Sequence, residues 1–282
     1  MRKLIDDAVA DGVFPGAAWA VRDGVGVTFG VAGTGTRDTL WDLASLSKVV
    51  ATTSLAMRAV DRGDLDLDCP VAESWPEFAA GGKQRVTPRD LLSHEAGFVP
   101  FRPYHQLASS REDVVRRVAA EPGGGPPVYS DLSMIALAEV LERLGGARLD
   151  TLFVREIAAP LGLRATGYRP LDGRLIHGPI APTEATEPWR GSDEPFVLGV
   201  VHDPTAWRMD GVAGHAGLFS TVDDLAVFAD ALLAGAISPH WREWTRPRSE
   251  RTLRALGWDT SPGFFGHTGF TGTSIQIGRA HV

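Results

Sequence analysis

The chain has 282 residues, 44% of them hydrophobic and 22% charged, with a formal net charge of -7; that length buries one sizeable core, or two lobes sharing a cleft, and the composition is that of a globular rather than a disordered chain. The excess of negative charge disfavours polyanions, which select clustered Lys and Arg, so no nucleic-acid partner is expected. A single cysteine, Cys69, excludes an internal disulfide, and no Cys/His pairs stand at zinc-ligand spacing, so neither redox chemistry, a metal nor any other cofactor is expected.

In chain order, Leu4, Ile5, Ala8 and Val9 fall at helical spacing, and Pro15-Gly16 stops that helix. The segment carries Asp6 and Asp7 where a secretory signal needs an apolar core, and no apolar run reaches membrane-spanning length. As written the chain is therefore expected in the cytoplasm, or in the periplasm or outside the cell if an upstream segment is missing. Two apolar segments, Ala17 to Val21 and Val25 to Ala32, flank Asp23-Gly24 and predict a hairpin. A long apolar helix is predicted from Ser45 to Arg62, and a second begins at Thr87-Pro88, with Thr87 as N-cap and Pro88 at the first helical position. Helical patterns follow at 111–120, 132–144 and 150–159, and Thr221 with Asp224 resembles a capping box opening a helix from Asp223 to Leu233. Segment 169–210, with Pro, Asp and Glu throughout, reads as a long surface excursion bordering a cleft. A Gly/Thr-rich strand is predicted from Phe264 to Ile275. Hairpin, helices, then late strand is an α+β order.

Ser45-Leu46-Ser47-Lys48 opens the long helix, and residues three apart share a helix face about one turn from each other, so the lysine reaches the serine hydroxyl. A serine needs such a neighbour to become a nucleophile, and a helix N-terminus favours the negative charge that develops there. The chain has only three lysines, Lys3, Lys48 and Lys83, which makes a chance Ser-x-x-Lys uncommon. Tyr129-Ser130-Asp131 follows the Gly/Pro-rich loop Gly123 to Pro127 and precedes a helix. That loop has no Gly-Lys-Ser/Thr after it, so a phosphate cradle is rejected in favour of a plain loop. His267-Thr268-Gly269 lies in the late strand, followed by Phe270-Thr271-Gly272-Thr273.

Taken in this order, the three elements resemble the Ser-x-x-Lys, Tyr-x-Asn and Lys/His-Thr-Gly motifs of the serine β-lactamase and penicillin-binding-protein superfamily: class C β-lactamases, related esterases and DD-peptidases. The phrases Leu40 to Thr53, Val86 to Phe98 and Val212 to Thr221 extend the likeness from about residue 1 to 275. The resemblance implies a β-lactamase/transpeptidase-like fold, an antiparallel sheet flanked by helices with a helical lobe. It implies that Ser45 attacks a carbonyl to form an acyl-enzyme, and that Lys48 and Tyr129 share the proton relay, with the base left open between them. Backbone N–H groups of Ser45 and Phe270 would form the oxyanion hole, and Asp131, His267, Thr268 and Gly269 would line the substrate. The partner is then a small molecule or peptide with a reactive carbonyl.

Two departures bear on the substrate. His267 stands where β-lactamases usually carry Lys, and an imidazole is largely neutral at pH 7. Asp131 stands where the second motif usually has Asn; it offers acceptors but no amide N–H, and it is free to pair with Lys48. Both favour an esterase, amidase or peptidase-like hydrolase over an efficient β-lactamase. The alternative is a catalytically impaired penicillin-binding or sensor-type domain of the same fold. His94, His202 and His215 are read as structural: no Gly-x-Ser-x-Gly elbow accompanies His202-Asp203, and His94-Glu95 lacks the second His of a zinc site.

Residues 277–282, Ile-Gly-Arg-Ala-His-Val, read like a translated adapter rather than like protein. A single catalytic domain over 1–276 is accordingly expected, with an α/β lobe from about 1–44 and 250–276, a helical lobe at about 45–249, and a non-native tail at 277–282. On that expectation the fold is truncated at its C-terminus, its sheet is split between the hairpin and the late strand, and the chain aggregates.

Overall fold

The hairpin signal corresponds to strands β1 (Gly16–Arg22) and β2 (Val27–Gly33), antiparallel with Gly16 opposite Gly33 and Arg22 opposite Val27. Asp23 closes the turn, its Oδ1 accepting from the backbone N–H of Val25 at 2.8 Å and of Gly26 at 3.1 Å, the local bond for which Asp is favoured in turns. Ahead of the hairpin lies helix α1 (Arg2–Ala10), none of whose residues is buried. This computed structural model describes residues 1–248 and 254–278; residues 250–253 of the expected α/β lobe and 279–282 of the expected tail lie outside the described residues. The expected domain boundary at 276 falls inside a strand, since Ile277 and Gly278 pair with Phe265 and Phe264.

The predicted helix from Ser45 to Arg62 is right in position and differs in pitch. It opens as a 3-10 turn (Ala44–Leu46), widens to a π-helix (Lys48–Thr53) and becomes regular only in α2 (Ser54–Asp61). Ser54 Oγ bonds the Val49 carbonyl, five residues back, at 2.9 Å, and Thr52 Oγ1 donates outward to the Gly214 carbonyl at 2.7 Å. These hydroxyls compete with the regular ladder, and π-turns concentrate where helices serve sites. Helix α3 (Asp131–Gly145) runs through the core, burying Leu132, Met134, Ile135, Leu137, Val140 and Leu141, and stops at Gly146 in the left-handed region. The predicted N-caps at Thr87 and Thr221 both accept from the third helical N–H, opening Pro88–Leu92 and α4 (Val222–Leu233). The predicted helix at 111–120 is Arg111–Ala120. That at 150–159 begins one residue earlier, passes through a π-turn at Val154–Ala158 and ends at Leu161.

Among the described residues the strands form three small antiparallel sheets rather than one. One is the hairpin; the second, β3 (Trp41–Asp42), β4 (Gly167–Tyr168) and β5 (Leu218–Ser220), has the order β3-β5-β4; the third, β6 (Asp259–Ser261), β7 (Phe264–Thr268) and β8 (Ser274–Gly278), has the order β6-β7-β8. The single predicted strand from Phe264 to Ile275 is thus two strands about a turn, closed by the Gly269 N–H bonding the Thr273 carbonyl at 2.7 Å. The second sheet falls largely within the expected helical lobe, and its strands of two or three residues are too short for an alternating pattern. The hairpin rests on α4 through ion pairs Arg22 to Asp230 and Arg37 to Asp223. The excursion at 169–210 is mostly loop, anchored by Trp189 between His105 and Trp207, with ring centroids 5.0 and 5.2 Å away. No helix among the described residues is long and apolar enough to cross a membrane.

Gly214 marks where segment 213–217 crosses α3: a Cβ there would lie 2.1 Å from the Met134 carbonyl oxygen and 2.6 Å from Ala138 Cβ. Gly214→Ala is expected to cost about 1–3 kcal/mol, the usual penalty for overpacking, read as a lowered melting temperature. A melt equal to that of the unaltered chain would contradict this crossing.

Candidate active site

Ser45 is presented by a strained turn. Buried Asp42 accepts the Ala44 N–H at 2.8 Å on one oxygen and the His202 N–H at 2.7 Å on the other, and Ala44 is held at φ 44°, in the left-handed region. Such a conformation costs a non-glycine residue about 1–3 kcal/mol and persists only where its surroundings enforce it. Burial raises the Asp42 carboxyl to about 6, against the pull of the two N–H groups. One turn on, the fully buried Lys48 ammonium donates to Ser45 Oγ at 2.8 Å and to the His215 carbonyl at 3.1 Å, and lies 2.8 Å from Asp131 Oδ1. Its three N–H groups therefore have three acceptors. Burial pushes the lysine toward its neutral form, but Asp131 and Tyr129 outweigh it and the net shift is upward. Lys48 is an ammonium.

Tyr129 arrives on a loop strapped to segment 94–100. Gly125 N–H bonds the Gly97 carbonyl at 3.1 Å, Val128 N–H the His94 carbonyl at 3.2 Å and Asp131 N–H the Pro100 carbonyl at 3.0 Å. The approach needs a glycine at 97, which has φ 75° and whose Cβ would lie 2.5 Å from Gly124 N. Lys83, buried, pins the loop's start by donating to the carbonyls of Ala80, Ala119 and Glu121. Around the phenol ring stand Lys48 Nζ at 4.9 Å and the Arg254 guanidinium at 4.8 Å, with the rings of His94 and His267 at 4.7 and 5.8 Å. His94 Nδ1 accepts the Ser130 N–H at 3.1 Å, so the neutral ring carries its proton on Nε2. Burial, then the cations Arg254 and Lys48, hold His94 well below the ordinary histidine range.

His267 is buried at the opposite wall. Its Nδ1 donates to the Thr268 carbonyl at 2.8 Å, which leaves the lone pair on Nε2, and burial followed by Lys48 lowers it to about 4. Thr268 is exposed, and Gly269 packs against the turn before Ser45, where a Cβ would meet Leu43 O at 2.5 Å and Thr273 Oγ1 at 2.2 Å. Thr271 Oγ1 bonds the Asp42 carbonyl at 2.6 Å and Thr273 Oγ1 the Leu43 carbonyl at 3.0 Å. The backbone of Phe270 is thereby tied to the turn that carries Ser45, while its side chain is 85% exposed, with its ring 5.3 Å from that of His202.

The structure therefore brings Ser45, Lys48, Tyr129, Asp131 and His267 together, with Thr268, Gly269 and Phe270 at the rim. It adds residues that sequence reasoning did not single out for the site. Arg254 carries no motif; it is ion-paired with Asp259 and faces Tyr129. Asp42, Asp203 and His215 reach the site through space. Asp131, Asp203 and His215 bring ligand atoms within 4.8 Å of one another, a spacing that suits a metal ion, but Asp131 is engaged by Lys48 and His215 Nε2 by Asp203 at 2.8 Å. A cation would have to displace both contacts.

A family model described as Beta-lactamase matches residues 1–281. A Salmonella agona protein described as "Putative D-alanyl-D-alanine carboxypeptidase" is 30% identical over a 289-residue alignment covering 86% of this chain and 67% of that protein. Among solved structures, the octameric penicillin-binding protein homologue from Pyrococcus abyssi superposes with a TM-score of 0.79 at 18% identity, covering 99% of this chain and 70% of that one. A D-stereospecific amidohydrolase from Streptomyces sp. gives 0.73 at 23%, covering 99% and 90%. At these identities the two structures share the fold.

With His267 lowered to about 4 by burial and by the Lys48 charge, its ring is expected to stay uncharged from pH 5.5 upward. An NMR titration of the histidine rings, assigned with His267→Gln, should place its midpoint far below the roughly 6.5 of an unperturbed imidazole. A midpoint near that value would show that the ring is not buried beside a cation.

Proposed function

This chain belongs to the β-lactamase family, and we propose that within it the chain is a serine hydrolase that cleaves ester or peptide-like amide bonds through an acyl-enzyme on Ser45. The observation that carries the proposal is the Lys48 ammonium, buried and divided among Ser45 Oγ, Asp131 and the His215 carbonyl. On this reading Ser45 Oγ attacks the carbonyl carbon and loses its proton, and the N–H groups of Ser45 and Phe270 stabilise the oxyanion. Because Lys48 already donates to Oγ as an ammonium, its part is to stabilise the oxygen as negative charge develops. Tyr129, against the same ammonium, is the group left to take the proton; it does so as the phenolate, and the phenol so formed hands the proton to the leaving nitrogen or oxygen. Collapse expels the leaving group; water then attacks the acyl-enzyme, giving its proton to the same relay and releasing the acid.

The surroundings suit an ester or a peptide-like amide. His267, neutral, does not attract a carboxylate, and Asp131, engaged with Lys48, has no N–H for an acylamino carbonyl. The permanent cation at the Tyr129 wall is Arg254, and a guanidinium suits the terminal carboxylate of a peptide. The carboxypeptidase description of the Salmonella relative agrees with that substrate class. A second reading, a domain that acylates once and does not turn over, has the tight Lys48–Asp131 pair in its favour, because that pair holds the relay in one charge state.

Ser45→Ala is expected to lower hydrolysis by at least about 1,000-fold, and mass spectrometry after a fluorophosphonate to show the adduct on Ser45. Labelling at Ser47 or Ser130 would remove the assignment, and one acylation without turnover would select the second reading. Arg254→Ala should raise KM about tenfold for a peptide with a free C-terminal carboxylate, the loss of a charge-assisted hydrogen bond, and leave a neutral short-chain ester nearly unaffected. Equal losses on both would take Arg254 out of carboxylate recognition.

A further inference from the structure

Behind Lys48 lies a buried pair that the relay does not use. His215 is 1% exposed, and its Nε2 meets Asp203 Oδ1 at 2.8 Å. The same carboxylate oxygen caps helix Pro204–Arg208 by accepting the Ala206 N–H at 2.7 Å. Burial works against the charge on Asp203, but His215 and the Ala206 N–H outweigh it and hold the carboxyl down at about 2. An ionised Asp203 accepts, so His215 carries a proton on Nε2, and its Nδ1 is buried without a protein partner. The His215 ring is thus fixed in orientation as well as in place.

The backbone of His215 is what reaches the site. Its carbonyl is the third acceptor of Lys48, at 3.1 Å. On either side, the Gly214 carbonyl accepts Thr52 Oγ1 at 2.7 Å and the Leu218 N–H donates to Ser47 Oγ at 3.0 Å, so segment 214–218 runs along the helix that bears Ser45 and Lys48. We propose that Asp203 and His215 are positioning residues for the catalytic lysine: the side-chain hydrogen bond between them fixes the His215 peptide so that its carbonyl holds the Lys48 ammonium turned toward Ser45 and Asp131. Without it the ammonium keeps two of its three acceptors and gains freedom to swing away from Ser45 Oγ. This role rests on the reading of Lys48 as part of the acylation machinery.

The test is steady-state kinetics on a neutral ester, with near-UV circular dichroism to count folded protein. His215→Ala and Asp203→Ala should each lower kcat about 10- to 100-fold, the scale for misplacing a reacting group by about 1 Å, with KM changed less than about threefold because neither side chain touches substrate. The double variant should be no worse than the worse single one, since both remove one contact. Asp203→Asn keeps the Oδ1 that accepts both bonds, and should hold kcat within about threefold of the unaltered enzyme. Loss in Asp203→Asn equal to that in Asp203→Ala, multiplicative losses in the double variant, or a raised KM with kcat intact would overturn the proposal. If His215→Ala does not fold, the Asp203 comparison decides alone. An unaltered chain that neither turns over ester nor is labelled on Ser45 would remove the hydrolase reading itself; an active one whose kcat is indifferent to these variants removes only the pair's role.

Discussion

A fully buried ammonium with nowhere to find water organises this molecule. Lys48 has three N–H groups to satisfy, and its acceptors come from three separate stretches: Ser45 on its own helical run, Asp131 at the start of α3, and the His215 carbonyl 167 residues on. A charge taken out of water is costly unless paired and hydrogen-bonded. The chain must therefore bring these segments to one point for the fold to hold, and that point is beside the Ser45 hydroxyl. On the proposed function, stability and chemistry make the same demand on the same atoms, and removing Asp131 would leave a buried charge unmatched.

Meeting that demand requires backbone to pass close to backbone. Gly97, Gly214 and Gly269 each stand where a Cβ would collide with a main-chain atom of another segment, at 2.5, 2.1 and 2.5 Å respectively. At Ala44 no glycine relieves the strain, and the left-handed turn is instead held by Asp42, which also bonds the His202 N–H and, through its carbonyl, Thr271. A single buried residue thus links the Ser45 turn and the excursion through its carboxylate and the Gly269 turn through its backbone carbonyl. The widened π-turn just after Ser45 belongs to the same set of local departures that aim side chains at one place.

What the sequence made legible is what local rules govern. Ser45 and Lys48 three apart on a helix, the caps at Thr87 and Thr221, and the Asp23 turn are all decided by neighbours along the chain. The three ordered motifs pointed to the family and its fold. Features decided through space were not readable. Nothing around Arg254 distinguishes it from the chain's other arginines, although it faces Tyr129. Along the chain His202-Asp203 and Gly214-His215 are two unrelated contexts, and only the fold puts Asp203 Oδ1 on His215 Nε2. The strands Trp41–Asp42, Gly167–Tyr168 and Leu218–Ser220 are too short to write an alternating pattern. The turn that divides the late strand leaves no break in the sequence pattern, because its residues, Gly and Thr, also suit a strand edge.

The separateness of the hairpin has a consequence for how the molecule breathes. No side chain of β1 or β2 joins the main hydrophobic cluster among the described residues; the hairpin is held by its own ladder, by half-buried β1 residues against α4, and by exposed ion pairs from Arg22 and the nearby Arg37 to α4. Exposed pairs contribute little and are screened by salt. Opening the hairpin breaks none of the contacts around Lys48, whereas opening α3 exposes Leu132, Met134, Ile135, Leu137, Val140 and Leu141. Cooperative units with few buried contacts open at the lowest free energy. The hairpin amides are accordingly expected to exchange with solvent ahead of those of α3.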